Sequence, residues 1–205
     1  MMSAGSCRRM WSLWLVIALA FEGCASEKPA NLSLRVKDQD VPVVIAVGPM
    51  DVSAVTYDGN PVSADLEATI QQMYVDPLKR AGIFKEVKVL KLPPRSDGKA
   101  DSEEILAQAR DQQADLLIMG EAKEFEAKVG LPLPRSTYDV RMNFLTSLYN
   151  VHSRKQVWRK ADTARVSRTE WPLDSKLKEI IETYVVPSIV AGTVSPMVNH
   201  VQTAY

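Results

Sequence analysis

From residue 41 onward the apolar positions fall into runs whose period changes from segment to segment. Residues 41–47, Val-Pro-Val-Val-Ile-Ala-Val, are β-branched and almost continuously apolar, and Gly48-Pro49 stops them. A run of that length ending in a turn signal predicts a short buried strand. Residues 50–62 predict a loop, with Asp58-Gly59-Asn60-Pro61 as its turn residues. From Ser63 the period becomes helical. Leu66, Ile70, Met73, Tyr74 and Leu78 form one stripe, and Asp65 and Glu67 stand in the first turn, where the helix dipole favours acids. Pro77 is expected to kink this helix or end its regular part, and Ala81-Gly82 closes it. Residues 84–90 alternate as a second strand.

Residues 93–98 predict a loop. Asp101 and Glu104 stand at capping-box spacing before a helix over 102–112, whose apolar side is Ile105, Leu106 and Ala109. Residues 114–119 predict another buried strand, and 121–129 its more polar continuation, an edge or a projecting extension. The Pro-rich connection 130–135 leads into a long strand over 137–149. There Tyr138, Val140, Met142, Phe144 and Leu148 share one face, and Asp139, Arg141 and Asn143 share the other, which is the pattern of a sheet covered on one side. Residues 150–155 turn the chain, and 157–168 return as the hairpin partner, carrying Trp158. Asp174 is the expected cap of a last helix striped by Leu177, Ile180, Ile181, Tyr184 and Val185, with Pro187 disturbing its end. Residues 191–205 read as a loose tail. The order is β-α-β-α-β-β-β-α without repeats, which predicts a single α/β (α+β) domain over residues 41–190, a mixed sheet with helices packed on it.

The first 40 residues follow a different logic. Arg8 and Arg9 precede a short apolar run over residues 11–21. A spanning helix needs roughly 18 or more apolar residues, so the run has the length of a signal h-region instead. Gly23-Cys24-Ala25-Ser26 follows it and resembles the lipobox of bacterial lipoproteins, although Phe21 and Glu22 replace the usual Leu and small residue. The resemblance implies removal of residues 1–23 as a signal peptide and attachment of diacylglyceryl and N-acyl (palmitate-type) chains to Cys24. It also implies, because Ala25 rather than Asp follows the cysteine, a place at the outer membrane facing the periplasm. The alternatives are an ordinary cleaved signal or an uncleaved anchor. Each buried methylene contributes about 0.8 kcal/mol and one chain alone binds reversibly, so several chains make attachment effectively permanent. Residues 25–40 are polar and read as a tether without period.

Composition narrows the function. The 205 residues hold 25 basic and 25 acidic side chains. Residues 1–23 contain Arg8, Arg9 and Glu22, which leaves 23 basic and 24 acidic in the rest. A near-neutral chain gives no electrostatic case for nucleic acid as a partner. The two cysteines are Cys7, lost with the signal, and Cys24, so no disulfide is expected; a chain of this size buries a core without one. Lacking a stray thiol also suits an oxidising compartment.

Candidate chemistry is sparse. His152 in a turn and His200 in the tail are a poor metal set, since zinc sites draw on several His or Cys at fixed spacing, and neither a metal nor a cofactor is expected. Neither a P-loop, a Gly-x-Ser-x-Gly nor a Gly-x-Gly-x-x-Gly motif occurs. Glu124 and Glu126 point to the same side of a strand, as an acid–base pair for glycoside cleavage would, but Lys123 and Lys128 beside them favour a solvated strand face. Glu121, Asp139 and Arg141 take the same bland reading. Tyr74 and Tyr184 read as core. Trp158 and Trp171, the latter before Pro172, suit either core or interface. The loop 130–135, with Leu131 and Leu133 among prolines, and the loop 50–62 are candidate contact segments, because prolines lower the cost of ordering on binding.

Four stretches carry a wider resemblance: residues 43–49 (Val-Val-Ile-Ala-Val-Gly-Pro), 78–84 (Leu-Lys-Arg-Ala-Gly-Ile-Phe), 114–120 (Ala-Asp-Leu-Leu-Ile-Met-Gly), and the hairpin 140–158 ending Gln156-Val-Trp158. In this order, across residues 41–190, they resemble the domain shared by the N-terminal part of TolB, the curli-secretion lipoprotein CsgG, the Pel-system lipoprotein PelC and the penicillin-binding-protein activator LpoB. The turn Asn150-Val-His-Ser-Arg154 departs from the Asp and Thr-Gly often found there, and no stretch matches the membrane-spanning hairpins of CsgG, so a pore is not implied. The resemblance implies a non-enzymatic lipoprotein, held by membrane lipid through Cys24, that binds or assembles with other envelope proteins. The alternatives are an oligomeric structural component of a secretion or export apparatus, built as a homo-oligomer, and an envelope glycan hydrolase using Glu124 and Glu126.

Overall fold

A computed structural model of the chain describes residues 41–62, 65–91, 101–130, 134–171 and 176–205. The signal segment, Cys24, the tether, Ser63, the loop 93–98, Leu131, Leu133, Pro172 and Asp174 lie outside the described residues.

Five strands form one mixed sheet in the order β4-β1-β5-β6-β7: β1 (Val41–Asp51), β4 (Phe84–Val89), β5 (Leu116–Gly130), β6 (Ser136–Asn150) and β7 (Lys155–Glu170). Helices α1 (Leu66–Ala81) and α2 (Ser102–Asp111) supply the crossovers, so β1 runs parallel to both β4 and β5. The later strands are joined by short connections and run antiparallel. The expected α/β class and element order hold.

The position of β1 explains its unbroken apolar run. Ile45 and Val47 face the larger core, shared with α1 and the C-terminal helices. Val44 and Ala46 face the second cluster, built with Ile105, Leu106 and Ala109 of α2. In β6 the predicted alternation appears directly: Tyr138, Val140, Met142, Phe144 and Leu148 are buried and Arg141 is exposed.

The structure departs from the sequence expectations in four places. First, α1 begins at Leu66, with Asp65 in the N-cap position, and Pro77 does not end it. Proline removes one intrahelical bond, but Leu78 and Ala81 beyond it are buried, and the helix closes only at Gly82, in the left-handed region at φ 68°. Second, the loop 50–62 contains a small hairpin, β2 (Thr56–Tyr57) and β3 (Asn60–Pro61). Its turn places Asp58 at φ 51° and Gly59 at φ 77°, the two positive values a type I′ turn requires.

Third, residues 191–205 are not a loose tail. Helix α3 (Lys176–Ile180), a π-helical turn (Ile181–Val185) and α4 (Val186–Ala204) follow without a break. Val194, Met197, Val198 and Val201 are buried, which outweighs the breaker signals of Gly192 and Pro196. The span Lys176–Ala204 is long and apolar enough by composition to cross a membrane, but half of its apolar window is buried inside the domain, as in a core helix. The π turn sits just before Pro187: that ring lacks an N–H and crowds the carbonyl four residues back, and the backbone widens so that the N–H of Val186 reaches the carbonyl of Ile181.

Fourth, β5 carries a bulge. Ala122 pairs with Phe144 and Glu124 with Asn143, so Lys123 is the extra residue. The alternation switches phase there: Ile118 and Ala122 face the core before it, Phe125, Ala127 and Val129 after it. Beyond Glu121 the strand passes the end of β1 and continues with β6 and β7 as a three-stranded arm, the projecting extension the sequence anticipates.

Candidate functional site

The inner face of the arm is covered by the C-terminal helices. At the base of the arm, where Thr146 stands between Gly120 and Lys160, Tyr74 of α1, fully buried, shares a 2.7 Å hydrogen bond with Thr146 of β6. Beside them Thr193 of α4 donates to Asp162 of β7 at 2.6 Å, Lys160 pairs with Asp162 at 2.9 Å, and Lys160 Nζ donates to the carbonyl of Gly192 at 2.6 Å. Pro196 accounts for that last bond. It cannot donate to the residue four positions back, which is Gly192, so the orphaned carbonyl takes the ammonium. Gly192 also lets Asp162 approach, since a Cβ there would stand 3.1 Å from Asp162 Oδ1. This cluster fixes α4 on β7. The tyrosines expected in the core are there: Tyr74 at the centre, Tyr184 half-buried with the guanidinium of Arg168 4.2 Å above its ring.

The outer face of the arm carries the polar residues singled out in the sequence, laid across three strands. One row is Glu124, Asn143 and Thr163; the next is Glu126, Arg141 and Arg165; the third is Lys128, Asp139 and Ser167. Glu124 and Glu126 therefore share a face, as expected. Glu124 accepts a hydrogen bond from the Asn143 amide, whose oxygen accepts from Thr163 Oγ1 at 2.7 Å. Asp139 accepts two bonds from Arg165, at 3.2 and 2.8 Å. That fork holds the Asp139 carboxyl below its ordinary range, with further help from the charge of Lys128. Glu121 pairs with Lys123 across the bulge.

At the far end of the arm, Trp171 is 58% exposed, and the guanidinium of Arg135 lies 5.6 Å from its ring centroid. Trp171 is thus a surface residue, whereas Trp158, opposite Leu148, is half-buried against the core.

At the opposite end, the β6–β7 turn is tied to three elements. His152 contacts Asp115 at 3.0 Å, Arg154 reaches Glu103 of α2 at 3.1 Å, and Asn150 donates to the hydroxyl of Tyr205 at 3.0 Å. Partial burial opposes the charge on Asp115, but the backbone N–H of Val44, His152 and Lys85 outweigh it and bring the carboxyl below its usual range. His200 sits on α4, on a different element from His152. Among the described residues, no group of three or more His, Cys, Asp or Glu side chains is placed to hold a metal ion.

In open α/β sheets, ligands settle at the carboxyl ends of strands whose following helices lie on opposite faces. Here that crevice lies between β1 and β4, and Gln71 of α1 fills it. Its Nε2 lies 3.0, 3.1 and 2.9 Å from the carbonyls of Val47, Gly48 and Leu90, which share its two amide hydrogens. The sequence reading passed over Gln71 and Lys160, since a polar residue at a half-buried position carries no period of its own, and it named Asn143 only as part of a polar strand face.

No family model matches the chain, and no curated protein matches it in sequence. Among solved structures, it is similar to a Xanthomonas campestris protein of the family DUF330 at 11% identity and a TM-score of 0.51, over 84% of this chain and 95% of that one. It is also similar to the PelC dodecamer protein of Paraburkholderia phytofirmans (16% identity, TM-score 0.46, 82% of this chain and 92% of that one). A lipoprotein from Neisseria meningitidis matches at 14% identity and a TM-score of 0.41, over 72% of this chain and 98% of that one. The likeness to the Xanthomonas protein is one of fold alone, an α/β domain of the class expected from the sequence.

Proposed function

We propose that the chain is a lipid-anchored protein of the bacterial cell envelope that works by binding other envelope proteins rather than by catalysis. The observation that carries this reading is the outer face of the arm. It is polar, uncovered among the described residues, and its carboxylates are engaged by neighbours: Glu124 by Asn143 and Asp139 by Arg165. A glycoside-cleaving acid must hold a proton near neutrality, which takes desolvation or a neighbouring like charge. Glu126 instead lies beside Arg141, in the row that Arg165 completes. Such a surface suits directional contact with a protein, and Trp171 at its end supplies the exposed aromatic anchor that interfaces favour. Attachment through Cys24 at the outer membrane, facing the periplasm, completes the proposal.

Photocrosslinking from the arm in intact envelopes tests it. Adducts with other proteins are expected, and Trp171→Ala should lower their yield several-fold while leaving the melting temperature within about 2 °C, as for surface substitutions generally. In the same cells Cys24→Ala should abolish lipid labelling. An arm that crosslinks to nothing, or a substrate-dependent hydrolysis lost in Glu124→Gln, refutes the binding role.

A second reading, assembly of copies into a homo-oligomer, is favoured by β7. This 16-residue strand pairs only with β6 among the described residues, which leaves one long edge open. Native mass spectrometry across a concentration series separates the two readings: a discrete ring-sized species supports assembly, a monomer supports a different partner.

A further inference from the structure

The outer side of β7 is the longest open edge of the sheet among the described residues. From Trp158 to Glu170 its pairing with β6 runs without a register shift, and this stretch holds neither Pro nor Gly. At about 3.3 Å per residue it is about 40 Å of regular strand, and its alternate N–H and C=O groups point away from β6. Proteins commonly blunt such an edge with a bulge, a proline or a short length. The irregularity in β7 lies outside the stretch, next to the turn.

The edge is guarded by charge instead. β7 carries Lys155, Arg159, Lys160, Arg165 and Arg168 against Asp162 and Glu170, in a chain whose charges balance overall. Three of those cations are engaged within the domain: Lys160 by Asp162 and the Gly192 carbonyl, Arg165 by Asp139, and Arg168 over the Tyr184 ring. Lys155 and Arg159 are exposed and meet no carboxylate among the described residues.

The two faces of the edge differ. Arg159, Ala161, Thr163, Arg165, Ser167 and Thr169 stand exposed on the outer face, and the small residues among them leave room beside each arginine. Trp158 and Val166 stand on the inner face, half-buried against the core. We propose that the edge of β7 takes an extended segment of an envelope protein as a sixth strand, one in which acidic residues alternate with apolar ones. Main-chain hydrogen bonds supply the affinity of such an added strand, and its alternate side chains supply the selectivity. The apolar set extends the inner face beside Trp158 and Val166. The acidic set lies on the outer face, opposite Arg159 and within reach of Lys155. This rests on the binding role proposed above and gives the partner its chemistry.

Charge selects this occupant over a second copy. Two β7 strands edge to edge would stand about 4.8 Å apart, each with five cations against two carboxylates, and like charges opposite one another are destabilising. An acidic strand at the same spacing meets opposite charge along its outer face.

Hydrogen exchange read by mass spectrometry on the full-length protein in detergent tests the edge. The probe is a synthetic peptide of alternating Glu and Val, about twelve residues long, and the control is its Lys–Val counterpart. The Glu–Val peptide is expected to slow exchange of residues 158–170 at least about ten-fold. Raising NaCl to about 1 M, where the screening length is about 3 Å, should remove most of that effect. The Lys–Val peptide should leave β7 unchanged. Arg159→Glu, at an exposed position, should weaken the Glu–Val peptide at least about ten-fold and admit the Lys–Val one. Protection by both peptides alike, or by neither, overturns the proposal. Protection of β7 before any peptide is added also overturns it: if it grows with protein concentration a second copy holds the edge, and if it does not, another segment of this chain does. Envelope crosslinking from the arm is a separate measurement, so adducts there without a response to the acidic peptide discard the edge and keep the binding role.

Discussion

Pro196 is a small change in chemistry with a long reach: it deprives the Gly192 carbonyl of its helical partner, and the side chain that fills the gap comes from another element. Lys160→Met removes that partner and the cation beside Asp162, and should cost about 1–3 kcal/mol of stability, measured by urea denaturation. Pro196→Ala restores an N–H for Gly192, so the same Lys160→Met change should cost less in that background. Strictly additive losses in the double-mutant cycle would disconnect the two residues. Tyr74 offers a second residue-level check. Burial pushes its hydroxyl up to about 12, with the charge of Asp162 acting the same way and the Thr146 and Thr193 hydroxyls opposing. Since the folded value lies above the unfolded value of about 10, the stabilisation is complete below pH 10 and is lost as pH rises through 12. The loss amounts to roughly 3 kcal/mol. Denaturation curves of the natural protein and Tyr74→Phe should therefore converge as pH climbs through that window.

At the scale of elements, the bulge at Lys123 decides what the arm presents. With one extra residue in β5, Phe125, Ala127 and Val129 turn inward and Glu124, Glu126 and Lys128 turn outward. Deleting Lys123 restores simple alternation and reverses every side chain from 124 to 130, because the period of a strand is two. The expected result is an arm that no longer packs, seen as rapid proteolytic cleavage within β5 and a loss of several kcal/mol, the scale of burying unpaired charges. Unchanged resistance would mean that the register slips harmlessly. A reader of the sequence can see that residues 121–129 are polar and projecting. Where the phase changes depends on the partner strand, which local pattern does not report.

The whole molecule is closed by its C-terminus. α4 carries Val194, Met197, Val198 and Val201 into the core shared with α1, where it also packs on β7, all of them nearly inaccessible to water. A chain ended after residue 190, the boundary the sequence pattern suggests, loses these four side chains at about 1.5–3 kcal/mol each, a total comparable to the stability of a typical domain. Such a truncation is expected to lack a cooperative thermal transition in calorimetry, whereas removing Tyr205 alone should leave one.

What the sequence determined by itself is what depends on neighbours along the chain. The period of each run set strand or helix for β1, α1, α2, β6 and α3, and the order of runs set the α/β class. Cys24 and its flanking residues are legible only there, since they lie outside the described residues. The tertiary structure decided the matters that hinge on a partner far away in the chain. Residues 191–205 are helix because the sheet gives their apolar side a place to be buried. Lys160 fills the carbonyl that Pro196 leaves free because the Gly192 turn of α4 lies against β7. Glu124 and Glu126 are parts of a bonded polar face because Asn143 and Arg141 arrive opposite them. Period is local, while burial and hydrogen-bond satisfaction are long-range, and where the two disagreed in this chain, at Pro77, at Pro196 and at Lys123, the long-range terms prevailed.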